Sequence, residues 1–258
     1  MLTHIVPKFE KGRILKTEML ENLRDYPRSF LDIRYQDYSD GIITGMNVTV
    51  GEHTLTVGRG IVKHKGRLYL LEQEQEVPYT ATGRLSVLKM LFLEQTDRPD
   101  FTAHHADIVL EDEAEIGLDE MELGRFKLKD GAVLRSDYQD FADMATEFNT
   151  WSDIYAPFAG LKQSTLRPET MRYFASELLK SGATDPMDCM FALMCLNLEA
   201  VDRESIQHYI ANRNGAEYRD YSHAQLHRQL VLILEGAGRG KRTAGRWQGG
   251  GAGRMIVD

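Results

Sequence analysis

The stretch GIITGMNVTVGEHTLTVGRGIVKHKGRLYLL, residues 41–71, decides the fold. Within it Met46-Asn47-Val48-Thr49-Val50 alternates apolar and polar side chains, as a half-buried strand does when successive residues face opposite sides. Gly51-Glu52 punctuates the run and His53-Thr54-Leu55-Thr56-Val57 alternates again, so the spacing predicts a β-hairpin. Gly58-Arg59-Gly60 leads into Ile61-Val62-Lys63-His64. Lys65-Gly66 then makes a second turn before Arg67-Leu68-Tyr69-Leu70-Leu71.

Further strands follow toward the C-terminus. Arg84 to Glu94 carries Leu85, Val87, Leu88, Met90 and Phe92, and Ile108-Val109-Leu110 and Leu123 to Leu128 complete the set. Short strands with regular glycine turns predict an antiparallel β-sandwich or open barrel over residues 31–138. The acidic run Glu111 to Glu115 reads as a solvated loop or a blunted sheet edge. Upstream, residues 1–30 read as an irregular opening segment. Met19, Leu20 and Leu23 suit one short helix over Thr17 to Leu23, and Pro27 is expected to stop it.

After Tyr138 the apolar period changes to between three and four, which predicts a small helical domain over residues 139–235. The aromatic-rich segment Tyr138 to Trp151 is expected to be a connecting helix. Pro168-Glu169 opens a helix that presents Met171, Phe174, Ala175, Leu178 and Leu179 on one face and stops at Gly182. Asp185-Pro186 caps the next, whose run Cys189 to Leu196 is apolar nearly all round and is expected to form the buried centre. Asp202 caps a helix that ends near Gly215. Ser222 with Gln225 forms a capping box before Leu226, Leu230, Ile233 and Leu234, with Gly236 as the stop. The fold class is therefore α+β, sheets first and helices after. Residues 236–258, rich in Gly and Arg, read as a flexible tail.

Composition narrows the function classes. Hydrophobic residues make up 42% and charged residues 27%, which suits a globular chain, and a net charge of -8 disfavours a general nucleic-acid binder. Cys189 and Cys195, six residues apart on one helix, face different ways and predict buried thiols without a disulfide. No apolar leader opens the sequence, and no run approaches the length of a membrane span.

Three patterns invite chemistry. Gly236, Gly238, Gly240 and Lys241 superficially resemble a phosphate-binding loop, but the spacing is one residue short and Arg242 stands where Ser or Thr would hold magnesium. His105 and Asp107 share a strand face while His104 points away. With His53 and His64 elsewhere they offer metal-type ligands but no firm third member. The carboxylates of Asp119, Glu120 and Glu122 read as exposed acidic residues. The reading therefore assigns no catalytic, cofactor-binding or metal residue and expects no enzyme. The tail, with Arg239, Lys241, Arg242, Arg246, Trp247 and Arg254, has the composition of a solubilising end or of a binder of acidic surfaces.

The module of residues 41–71, with its Val57-Gly58-Arg59-Gly60 turn and Gly66-Arg67-Leu68-Tyr69 step, resembles the opening β module of phage-type tail and baseplate proteins. The segment Glu122 to Leu128, with Leu134-Arg135 and Tyr138, resembles the closing strand of such modules. A β shoulder followed by helices is similar to the K subunit of the type VI secretion baseplate and to phage receptor-binding-protein shoulders. The resemblance implies a structural baseplate or tail-associated adaptor subunit of a contractile particle, made in the cytoplasm and then built into the particle. It also implies homo-oligomers, trimers among them, and partners that are other baseplate or tail proteins and fibres. Phe30, Tyr35 and Tyr38 suit docking as well as they suit an internal core. Two other readings stay open: a β-sandwich hydrolase or metal enzyme using His105 and Asp107, and a regulatory binding module whose basic tail touches nucleic acid.

Overall fold

The computed structural model describes residues 2–112 and 115–244. Helix α1 (Thr17–Arg34) comes first. Strands β1 (Gly41–Gly45), β2 (Val48–Val50), β3 (Thr54–Val57), β4 (Gly60–His64), β5 (Arg67–Leu71) and β6 (Gln75–Pro78) follow it. Next are β7 (Leu85–Phe92), β8 (Thr96–Asp97), β9 (Thr102–Ala103), β10 (Ala106–Glu111) and β11 (Glu120–Lys127). Helices α2 (Pro168–Lys180), α3 (Pro186–Asn197), α4 (Arg203–Asn214) and α5 (His223–Ala244) close the described chain.

The strands form three antiparallel three-stranded sheets, ordered β1-β4-β5, β2-β3-β6 and β10-β7-β11, and the small β8-β9 hairpin. None of these described sheets closes into a barrel. The predicted β2-β3 hairpin pairs Val48 with Val57 and Val50 with Leu55. Lys65 (φ 46°) and Gly66 (φ 75°) both take the left-handed conformation that a tight two-residue turn requires, and they set β4 against β5. Ile42, Leu55, Val57, Val62, Leu88, Leu123 and Phe126 fill one core between the three sheets. A bulge between Glu122 and Gly124 brings the backbone of β11 onto the Trp151 indole, where a Cβ at Gly124 would lie 2.2 Å from a ring carbon.

A second core belongs to the helices. Met171, Phe174, Ala175 and Leu178 of α2 are its buried centre, and Phe191, Ile206, Tyr209, Leu226 and Leu230 pack around them. Several predicted ends hold, although Asp202 stands at the head of α4 without a side-chain cap bond. Asp185 accepts the Met187 N–H at 2.8 Å, Ser222 and Gln225 bond reciprocally, and Gly215 ends α4 in the left-handed conformation.

Four local expectations are corrected. The first helix runs through Pro27 to Arg34. Because α1 buries no residue, the carbonyl that Pro27 leaves without a donor is open to water. Tyr138 to Trp151 holds only one 3₁₀ turn (Ala142–Ala145). Its backbone and that of the next residue instead pair with β11 and with Arg135, through Phe148, Thr150 and Ser152. Helix α3 is not the buried centre: Phe191, Ala192 and Cys195 turn inward, while Met190 and Leu193 are more than half exposed. Helix α5 passes through Gly236 and continues to Ala244, its upstream turns being fixed by Leu226, Leu230 and Ile233 in the core. The expectation of a flexible end beyond that point falls on 245–258, outside the described residues.

Candidate interaction surface

Helix α1 is amphipathic, and its apolar stripe is exposed. Leu20, Leu23, Tyr26, Phe30 and Ile33 recur every three or four residues, and Leu23, Phe30 and Ile33 are 58%, 61% and 67% exposed. Arg24, Arg28, Leu31 and Asp32, about a third of a turn round the helix, line a cavity of about 920 Å³ against β5. That flank borders the cavity yet stays exposed, Arg24 at 65%, and the apolar stripe is exposed as well.

The C-terminal end of α1 is held from two sides. Lys63 of β4, buried, donates from Nζ to the carbonyls of Tyr35 (2.6 Å), Gln36 (3.2 Å) and Tyr38 (2.6 Å). These carbonyls follow the end of α1, and a cation just beyond the last turn of a helix also opposes the negative end of its dipole. On the other side, the Ser39 N–H donates to Gly160 O and the Lys162 N–H to Asp37 O. Arg34 lies over the rings of Tyr35 and Tyr38, which meet edge to face. Of the aromatic residues read as suited to docking, Phe30 points outward and Tyr35 and Tyr38 are half-buried at this joint.

The residues singled out for chemistry do not converge. His105 and Asp107 are exposed at the start of β10, and His53 lies on the exposed turn between β2 and β3. His64 is buried, stacked on Phe92 at 3.8 Å, with Asp40 and Asp119 at 3.6 and 3.5 Å from its ring nitrogens. Among the described residues no group of three or more His, Cys, Asp or Glu is placed to hold a metal ion.

The acidic residues are engaged elsewhere. Asp119 also meets Lys65, whose hydrogen bond holds its carboxyl below the usual range, and His64 adds to the effect. Glu120 accepts the Gly117 N–H, the largest influence lowering its carboxyl, and pairs with Lys89. Glu122 is buried against Arg125, which in turn lies over the Tyr155 ring. The acidic run is more than a solvated loop, because Lys89, 1% exposed, donates to Glu111 at 3.2 Å and to Glu115 O at 2.8 Å.

Both cysteines are free, and burial pushes the Cys195 thiol up to about 12. Gly236 and Gly240 lie inside α5, where helical backbone cannot form a phosphate-binding loop. Arg246, Trp247 and Arg254 lie outside the described residues. No described helix is long and apolar enough to cross a membrane.

The polar residues that organise the molecule escape a reading based on motifs. Lys63 and Lys89 are charged residues inside strand runs, and alternation alone marks them as outward-facing. Arg167, 3% exposed at the head of α2, donates to the carbonyls of Gly45 and Met46 and to the Asn47 side chain, with Asp153 3.5 Å from its Nε. Its one sequence signal is the position directly before Pro168 at a helix start.

The fold is that of a two-core α+β chain of open antiparallel sheets followed by a helical bundle. No protein-family model matches the sequence, and no curated protein matches it at a significant level. Among solved structures the chain is similar to TssK, at 12% identity and a TM-score of 0.44, over 91% of this chain and 72% of that one. It is also similar to a chain of the type VI secretion system TssK-TssF-TssG baseplate subcomplex, at 11% identity and a TM-score of 0.43, over 91% of this chain and all of that one.

Proposed function

We propose that this chain is a structural subunit of the baseplate of a phage-like contractile particle, and that it assembles through the outward stripe of α1. The observation that carries the reading is that stripe: a helix of eighteen residues with none buried, anchored at its C-terminal end and presenting Leu23, Phe30 and Ile33 to the outside. Fully burying a side chain of this kind contributes about 1.5–3 kcal/mol, so the free chain forgoes several times that amount which a partner recovers. Contiguous apolar surface of this sort marks sites where proteins meet. The sequence resemblance of residues 41–71 and 122–138 to tail and baseplate modules supplies the kind of assembly.

In this reading the chain's work is to join neighbouring subunits, copies of itself among them, and to carry fibres. The β-rich residues 31–138 serve as one attachment unit and the helices of 139–235 as another. No residue performs catalysis, and the chain joins the particle after synthesis in the cytoplasm. Purification of the native complex followed by mass spectrometry tests the assignment. The expected result is stoichiometric recovery with sheath, tube and baseplate proteins; recovery with none of them sinks it. For the surface, Leu23→Glu combined with Phe30→Glu is expected to abolish incorporation while leaving the circular dichroism spectrum unchanged. Incorporation at the wild-type level would remove α1 from the interface.

A further inference from the structure

The charged flank of α1 borders a different feature. Two sheets end facing one groove there, β5 at the edge of β1-β4-β5 and β10 at the edge of β10-β7-β11. Among the described residues no ladder joins either strand to a further strand on that side. An open edge leaves alternate backbone N–H and C=O groups without partners and is normally blunted by charge, proline or a bulge. In β5 only Arg67, at one end, is charged; Leu68, Tyr69, Leu70 and Leu71 follow, and Leu70 is 62% exposed. The groove of about 920 Å³ is at the upper end of the range for ligand sites, roughly 300–1,000 Å³.

Its charge runs against that of the chain. The whole sequence carries 39 acidic and 31 basic residues, yet the groove is lined by Arg24, Arg28 and Arg67 against Asp32. Asp25 holds Arg24 and also lies in the field of Arg28, whereas Arg67 has no ion-pair partner among the described residues. Below them the floor is apolar, with Val62, Met90 and Ile108 buried and Tyr69 half-buried. A strand that alternates apolar and acidic side chains matches both requirements, because its two faces separate the two kinds of residue.

We infer that the groove between α1, β5 and β10 takes an extended acidic segment of another protein, added as a strand along the open edge of β5. Its main chain completes the ladder that β5 lacks, its apolar side chains fill the floor, and its carboxylates meet Arg28 and Arg67. The five residues of β5 span about 16 Å, so the segment is a short one. This inference concerns a different face from the outward stripe and stands apart from the baseplate reading.

The test uses the full chain and a fluorescein-labelled octapeptide of alternating Val and Glu, followed by anisotropy. Saturable binding is expected, weakened at least about tenfold by Arg28→Glu with Arg67→Glu and weakened by added salt. Both arginines are exposed, and an unchanged thermal melt shows that the variant folds. The same peptide N-methylated along one edge is expected not to bind. No binding of the Val-Glu peptide, equal binding of a Val-Lys peptide, or undiminished binding by the double variant overturns the proposal. So does tighter binding of an oligothymidylate, and N-methylation without effect overturns strand addition. All of these readouts leave incorporation through Leu23 and Phe30 unaffected, so the two readings fail separately.

Discussion

His227 lies in the helical core with its Nε2 2.9 Å from the Phe141 carbonyl and its ring against the Phe141 ring. Burial pushes its imidazole down to about 4, below the 6.5 of an unfolded chain. The unfolded state therefore takes up a proton at higher pH than the folded state. The contribution is fully present above about pH 6.5 and is lost as the pH falls from there to about 4, amounting to roughly 3 kcal/mol. Chemical denaturation at successive pH values is expected to show stability falling across that window, and His227→Gln, which keeps a donor for Phe141 O, to lessen the fall, the share of His223, also lowered by burial, remaining. A wild-type profile that is level between pH 6.5 and 4 contradicts this assignment. None of it is legible in the sequence, where His227 is one polar residue beside Leu226 on a helix face. The same holds for Lys89. Alternation gives the side of the strand, but not that Glu111, Glu120 and the Glu115 carbonyl close over the ammonium.

At the scale of elements, legibility follows the range of the interaction. Hairpin turns and helix ends could be read because their chemistry is local. Lys65-Gly66, Asp185-Pro186 and Ser222 with Gln225 each act on backbone within a few residues. Facing was legible where one apolar stripe is set off from a polar one, as with Met171, Phe174, Ala175 and Leu178 of α2, and failed where apolar residues run all round. The apolar composition of α3 suggested a centre, but Met190 and Leu193 lie outside; a segment rich in apolar residues all round fits a core and an interface equally. Strands β1 and β6 carried too little alternation to stand out. Helix α1 shows the same limit, since its attachment depends on Lys63, distant in sequence. Lys63→Met leaves three carbonyls without their donor and is expected to weaken the docking of α1 by about 2–3 kcal/mol. Hydrogen exchange is expected to quicken across 17–34 while β7 and β11 stay protected. Unchanged protection of α1 would show that the contacts of 37–40 with Gly160 and Lys162 suffice to hold it.

The two cores are tied together by a residue that belongs to neither. Arg167 begins α2, yet its guanidinium reaches the carbonyls of Gly45 and Met46 and the Asn47 side chain, at the join of β1 and β2. Gly45 is held at φ 69°, and a Cβ there would lie 2.0 Å from Arg59 O, so the backbone that offers this carbonyl tolerates no larger residue. Asp153 and Glu169, at 3.5 and 3.7 Å, offset the buried charge from the helical side. Replacing one partner of such a buried cluster costs about 3–5 kcal/mol, because the groups left behind stay desolvated and unpaired. Arg167→Met keeps the length of the side chain and removes its charge and donors. Since neither core contains the residue, the loss should fall on the coupling between them and leave the packing within each intact. Calorimetry is expected to show one cooperative transition in the wild type and two in the variant, with His227 and Lys89 reporting the separate cores through their own variants. If Arg167→Met still melts in a single transition, shifted by no more than a degree or two, the cores are held by apolar contact such as that of Ala200 with the sheet core, and the arginine is only a cap.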